Sequence, residues 1–213
     1  MTGLEDYQYL EKLALDAGVH SAKVITAKQI VVEGRVRLKC EVGCPVYGKY
    51  LKCPPHVPSV DEFRKVLNDY RYAMIVRYKQ PEMPPTVLAE VSAMLAPAPG
   101  KRLKDLAEAN VKASPELRSF FAGQYERNLE IMLELERAAF NHGSPLAVAL
   151  TAGACRLCEE CNVAEGLCRH PTRARIAAEA FGINVVKTAE NAGMGLMFSG
   201  EKPPGWTMIL LID

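Results

Sequence analysis

Two periods organise the apolar positions of this chain of 213 residues. A helical period runs through Leu4–Ala17 and stops at Gly18, a residue suited to a left-handed C-cap. Ala22–Thr26 and Arg35–Lys39 read as strands flanking Ala27–Val32, which is helical or extended. Ser59-Val60-Asp61-Glu62 is a capping box and opens a helix to about Tyr70. Tyr72–Tyr78 is rich in strand formers, and Pro84-Pro85 begins a helix to Leu95 that Pro97–Gly100 breaks. Ser114-Pro115 is a serine cap with proline at the first helical position. The helix it opens is expected to reach His142, with Leu117, Phe121, Tyr125, Leu129, Leu133 and Phe140 on one face.

The last third returns to short elements. Pro145–Leu150 reads as a buried strand, Pro171–Phe181 as a helix ended by Gly182, and Ile183–Val186 as a strand. Lys187–Ala192 reads as a short helix and Trp206–Ile212 as a final apolar strand. Strands alternating with helices predict an α/β or α+β fold: a single mixed β-sheet with packed helices and two cysteine-bearing loops. No repeat and no long linker divides the chain, so residues 1–213 are expected to form one domain.

Charge narrows the function. There are 26 basic and 25 acidic side chains, a formal net charge of +1, and no Lys/Arg run with interleaved aromatics. Nucleic acid is therefore not expected as a partner. The apolar runs Leu146–Leu150 and Met208–Ile212 are far too short to cross a bilayer, so no membrane partner is expected either. The first residues, Met1-Thr2-Gly3-Leu4-Glu5-Asp6, lack a basic segment followed by an apolar one, and a cytoplasmic location is expected. In such a reducing compartment the seven cysteines read as metal or redox ligands rather than disulfides.

Those cysteines fall in two loops. The second loop carries Cys155, Cys158 and Cys161 at two-residue spacing, then Cys168-Arg169-His170-Pro171. A C-x2-C-x2-C run lets one loop wrap a cubane and offer thiolates to three irons, as in bacterial ferredoxins, where a further cysteine precedes a proline. Zinc sites more often use separated cysteine pairs, so zinc is the alternative metal. The first loop, between Cys40 and Pro58, holds Cys40, Cys44 and Cys53 among Pro45, Pro54, Pro55 and Pro58. This C-x3-C-x8-C spacing has no unique reading: a second cubane with one iron not held by cysteine, or buried core thiols. Two cubanes need eight ligand positions, and seven cysteines leave one open. His56 and His170 adjoin the cysteines and are candidates for it.

Basic residues are concentrated in both loops: Arg37, Lys39, Lys49 and Lys52 in the first, Arg156, Arg169, Arg173 and Arg175 in the second. Cations near an anionic tetrathiolate cubane would raise its potential, although any single one is better read as surface charge. Gly193-Met194-Gly195-Leu196-Met197-Phe198 lacks the third glycine of a dinucleotide fingerprint. There is no Walker, G-x-S-x-G or H-E-x-x-H motif, and Glu134 and Glu136 read as a solvated helix face.

Several segments together resemble the family of predicted metal-binding proteins called domain of unknown function 2284. They are Arg37–Cys40, Cys44–Gly48, Cys53–Pro55, Glu136–Phe140, Ala152–Cys158, Cys161, Cys168–Pro171 and Phe181–Val185. The resemblance spans nearly the whole chain and implies metal binding through the cysteines, with no activity attached. The sequence departs from the family pattern at Ile176-Ala177-Ala178 and at His56.

The expectation is thus an iron–sulfur protein carrying one or two [4Fe–4S] clusters on Cys155, Cys158, Cys161, Cys168, Cys40, Cys44 and Cys53. Its role would be electron transfer to a redox partner protein. The alternatives are a redox enzyme that binds a small molecule at an open iron, and a zinc-binding structural or sensing protein. No catalytic residue and no oligomeric state is assigned by the sequence.

Overall fold

The computed structural model describes residues 3–95, 113–195 and 205–213. Among them the sheet has four strands, β1 (Ser21–Thr26), β2 (Tyr72–Arg77), β3 (Val148–Leu150) and β4 (Thr207–Ile212), in the order β1-β2-β4-β3. Every ladder is antiparallel, with Ile75 opposite Lys23 on one side and Ile209 on the other, and Ala149 opposite Leu210. The architecture is α+β, with the single sheet expected and no parallel pairing between its strands.

Six α-helices accompany it among the described residues: α1 (Gln8–Asp16), α2 (Gly34–Gly43), α3 (Val60–Leu67), α4 (Pro85–Leu95), α5 (Pro115–Asn141) and α6 (Val185–Asn191). The sheet is covered on both sides. Val24, Met74, Val76, Met208 and Leu210 pack against Leu10 and Ala14 of α1 and Met132, Leu135 and Ala139 of α5. Ile25, Ala73, Ile75, Ile209 and Leu211 pack against Phe63 of α3 and against Ala178, Phe181 and Ile183. This two-sided cover is why β4 is apolar and buried at every position instead of alternating.

Helix glutamates satisfy backbone donors on both edge strands. Glu11 Oε1 accepts from Val24 N–H of β1 at 2.6 Å, and Glu136 Oε2 accepts from Ala149 N–H of β3 at 2.8 Å. An unpaired edge amide is thereby occupied and unavailable for pairing with another chain.

Several local expectations hold. Gly18 adopts φ 89° just after α1, and Ser59 and Glu62 form their reciprocal box at the start of α3. Ser114 caps α5 through the Leu117 amide. Others are corrected. Arg35–Lys39 is not a strand but the middle of α2, a helix with no buried residue. The buried face of α5 runs through Leu117, Tyr125, Leu129, Met132, Leu135 and Ala139, so Leu133 falls off it and Phe140 is 60% exposed.

Pro171 starts turns, with only Ala178–Phe181 forming a 3-10 turn, because Ile176 and Ala178 bond Thr151 across the sheet edge. Ile183 makes one bridge to Val32, and Asn184 then caps α6 by accepting from Lys187 N–H at 3.1 Å, which ends any strand. The break expected at Pro97–Gly100 and the Leu196–Phe198 end of the glycine motif lie outside the described residues.

Candidate metal centre

The two cysteine loops leave the body at adjacent points. The first begins on α2, whose last turn carries Cys40 and whose C-cap is Cys44, and it ends at the α3 capping box. The second follows β3 directly. Arg37 of α2 ties the regions together, donating from Nη1 to Pro58 O and Ala180 O, each at 2.9 Å.

All seven cysteines are free and half-buried. Cys155, Cys158, Cys161 and Cys168 line one small cavity, and its opposite wall is Tyr50-Leu51-Lys52 of the first loop. Leu51 N–H donates to Cys161 Sγ at 3.4 Å. Backbone donors aimed at sulfur are what a thiolate ligand needs in place of water. The loop is held by its own bonds: Val163 N–H to Cys161 O at 2.8 Å, and Arg169 Nη1 to Glu160 O at 2.6 Å.

Cys40, Cys44 and Cys53 form a second group. Burial pushes the Cys53 thiol up to about 12, and neighbouring Cys44 and Cys40 add to the shift. Burial also raises Cys40, helped by Cys44 and Glu179, and raises Cys155 against the opposing pull of the Leu157 N–H and the Tyr125 hydroxyl. The Cys155 backbone N–H faces the Cys53 sulfur, so the two groups abut there. Protonated thiols at these positions must lose protons to bind a metal.

His56 and half of the eight loop cations are engaged in bonds of their own. His56 Nε2 lies 3.1 Å from Gly48 O, a bond within the first loop, whereas His170 lines the four-cysteine cavity. Arg173 pairs with Glu130, and Arg175 makes a two-pronged pair with Glu136 at 2.9 and 2.5 Å. Glu136 is therefore not on a solvated face; it braces the segment after Pro171 against α5 and β3. Glu134, paired at 3.9 Å with Arg137, is on one.

Whether these residues suit a cluster can be tested on polar atoms left without partners. Buried without a hydrogen bond among the described residues are Arg37 Nε, Tyr125 Oη, Glu179 Oε2 and, on β4, Thr207 Oγ1. Arg37 and Glu179 stand beside Cys40, and the Tyr125 hydroxyl faces Cys155 and Thr151. Orphaned buried groups are costly, and the two donors beside the cysteines, Arg37 Nε and the Tyr125 hydroxyl, fit a site completed by a bound anionic group, whereas the Glu179 carboxylate oxygen does not. The donor set, four thiols around one cavity, suits a cubane equally. Among the described residues no group of three or more His, Cys, Asp or Glu side chains forms a ready-made single-ion site.

Sequence does not single out Tyr50, although it lies between Cys44 and Cys53, and it marks Tyr125 only as a packed position of the long helix. Tyr50 faces Cys53, Cys155, Cys161 and Arg156. Glu179, inside an alanine-rich stretch, carried no signal at all.

With the geometry in place, comparison defines the class: the chain belongs to the predicted metal-binding protein family DUF2284, whose model matches residues 23–212. No curated protein and no solved structure matches it. Among the described residues no helix is long and apolar enough to cross a membrane.

Proposed function

We propose that this metal-binding protein is a cytoplasmic iron–sulfur protein of one domain. Cys155, Cys158, Cys161 and Cys168 hold one [4Fe–4S] cluster, and Cys40, Cys44 and Cys53 hold part of a second. The observation that carries the reading is the lining of a single cavity by all four cysteines of the second loop. The ferredoxin-like spacing of three of them supports iron over zinc. A bound cluster supplies one-electron chemistry at low potential. The chain's own part is to hold the sulfurs, to aim the Leu51 N–H at Cys161, and to surround both groups with protein in place of water. Electron transfer to a partner protein is the role this arrangement suits best.

Electron paramagnetic resonance of the anaerobically reduced protein tests the division into two groups. Two cluster signals are expected in the parent protein, and Cys53→Ala is expected to remove one. A single signal in fully loaded protein, indifferent to Cys53→Ala, would leave only the four-cysteine site.

A second reading, an enzyme acting on a small molecule, is favoured by one observation. Tyr50, whose ring borders the four-cysteine cavity, also borders a far larger one.

A further inference from the structure

The larger cavity measures about 660 Å³, within the range of small-molecule sites. Its apolar wall is built from α4, α5 and the entry to β4: Val91, Leu117, Phe121 and Trp206. The Phe121 and Trp206 rings lie stacked at 6.5 Å and 16°, and Tyr125 meets Trp206 edge-on at 6.2 Å. Such rings present a flat, rigid surface to an apolar body.

Among the described residues the charges on this wall have one sign: Lys49, Arg118 and Arg156 line the cavity, and no described Asp or Glu does. None of the three is in a salt bridge among the described residues. Arg156 has its Cζ 5.9 Å from the centre of the Phe121 ring, which holds the guanidinium against the aromatic wall. Unpaired cations over an apolar floor select an anion with a hydrophobic body.

The position matters as much as the chemistry. Lys49 and Tyr50 belong to the first cysteine loop, and Ala154 and Arg156 flank Cys155 in the second. A molecule here touches both loops and is separated from the four-cysteine cavity by the Tyr50 side chain.

We propose that this cavity binds an aromatic carboxylate, its ring on Phe121 and Trp206 and its carboxylate on Arg156, with Lys49 and Arg118 adding attraction. It deepens the small-molecule reading by naming the ligand class, yet it stands on the cavity walls and not on which metal the cysteines hold.

Trp206 is the only tryptophan of the chain, so its emission reports on this wall directly. The full-length protein, with iron measured on every sample, is titrated with phenylacetate, phenylacetamide and phenethylamine, following Trp206 emission and heat. Phenylacetate is expected to change the emission saturably and to bind on the order of tenfold more tightly than the amide, with the amine weakest. Arg156→Gln, with iron intact, is expected to erase that preference. Should Arg156→Gln lose iron, Arg118→Gln on α5 decides, with weakening on the order of threefold for phenylacetate alone. No saturable response to phenylacetate would overturn the proposal. So would an amine or amide bound as tightly, or the deciding variant binding phenylacetate like the parent. Because iron is read separately, failure here is distinguishable from failure of the cluster assignment.

Discussion

The Leu51 N–H donates to Cys161 Sγ at 3.4 Å, joining the two cysteine loops across a separation of 110 residues. The first loop thereby forms part of the housing of the second loop's cysteines. Cys161→Ser is expected to do more than remove one proposed ligand. It should lower the iron content and also loosen residues 44–58, seen as faster amide exchange there. Unchanged iron, or loss of iron with unchanged exchange in the first loop, would separate the two loops again.

Glu136 links three elements at once. From α5 it accepts from Ala149 N–H on β3 and from both prongs of Arg175, with only 20% of its side chain exposed. Removing it leaves an edge amide without a partner and a largely buried guanidinium held only through Nη1, which donates to Thr172 O and Ala174 O. Glu136→Ala is expected to destabilise the fold by about 2 kcal/mol, the scale for hydrogen bonds to charged groups. Chemical denaturation at fixed metal content measures this, and a change below about 0.5 kcal/mol, the surface-substitution scale, would assign the contact to solvent.

Glu33 gives the fold a pH dependence. Its carboxylate accepts from Arg35, Lys187 and Asn184, which hold it well below the usual carboxylate range and join the start of α2 to α6. A depressed folded value means that the unfolded chain takes up the proton first. Stability is therefore present above about 4.5, the ordinary value, and is lost as pH falls from there toward the depressed one. Glu33→Gln is expected to flatten acid unfolding in that window; an acid limb identical to the parent's would show that the pairing contributes nothing. The exposure of its partners Arg35 and Lys187 keeps the expected effect small.

Much of this was legible because local rules and tertiary packing agree. Ser59, Ser114 and Gly18 act through neighbouring backbone atoms, so their roles need no knowledge of the rest of the chain. The strands at β2 and β4 declare themselves by apolar, β-branched runs. The cysteine spacing of the second loop pointed to the residues that share one cavity. The failures share a physical origin. Arg35-Val36-Arg37-Leu38-Lys39 alternates like a strand, yet it is a helix that buries nothing, so no apolar stripe marks its period. The stretch after Pro171 has helical composition, but Thr151 captures the Ile176 carbonyl and the Ala178 amide, and that long-range pairing outweighs propensity. Phe140 belongs to the same run as Leu133, one residue out of phase with the face that packs. Tyr50, Tyr125 and Glu179 matter only through contacts made by folding, which no spacing encodes.

Gly182 tests the junction behind the first loop. It has φ +83°, and a Cβ there would meet Val60 Cγ2 at 3.0 Å and Glu33 O at 3.2 Å. Its carbonyl accepts from Glu33 N–H at 2.8 Å. Gly182→Ala is expected to cost about 1–3 kcal/mol through left-handed strain and crowding together. Since the same junction supports α2, the variant should also bind less iron at the Cys40, Cys44 and Cys53 group. Thermal unfolding equal to the parent's would show that α2 and α3 move apart freely.

The proposed clusters require the cysteines to hold both iron and sulfide. Protein produced and purified without exposure to air is assayed for iron, acid-labile sulfide and zinc on one sample. About four or about eight irons per chain are expected, with sulfide in equal number, following cubane stoichiometry. Stoichiometric zinc with no sulfide in that same sample would contradict the cluster assignment.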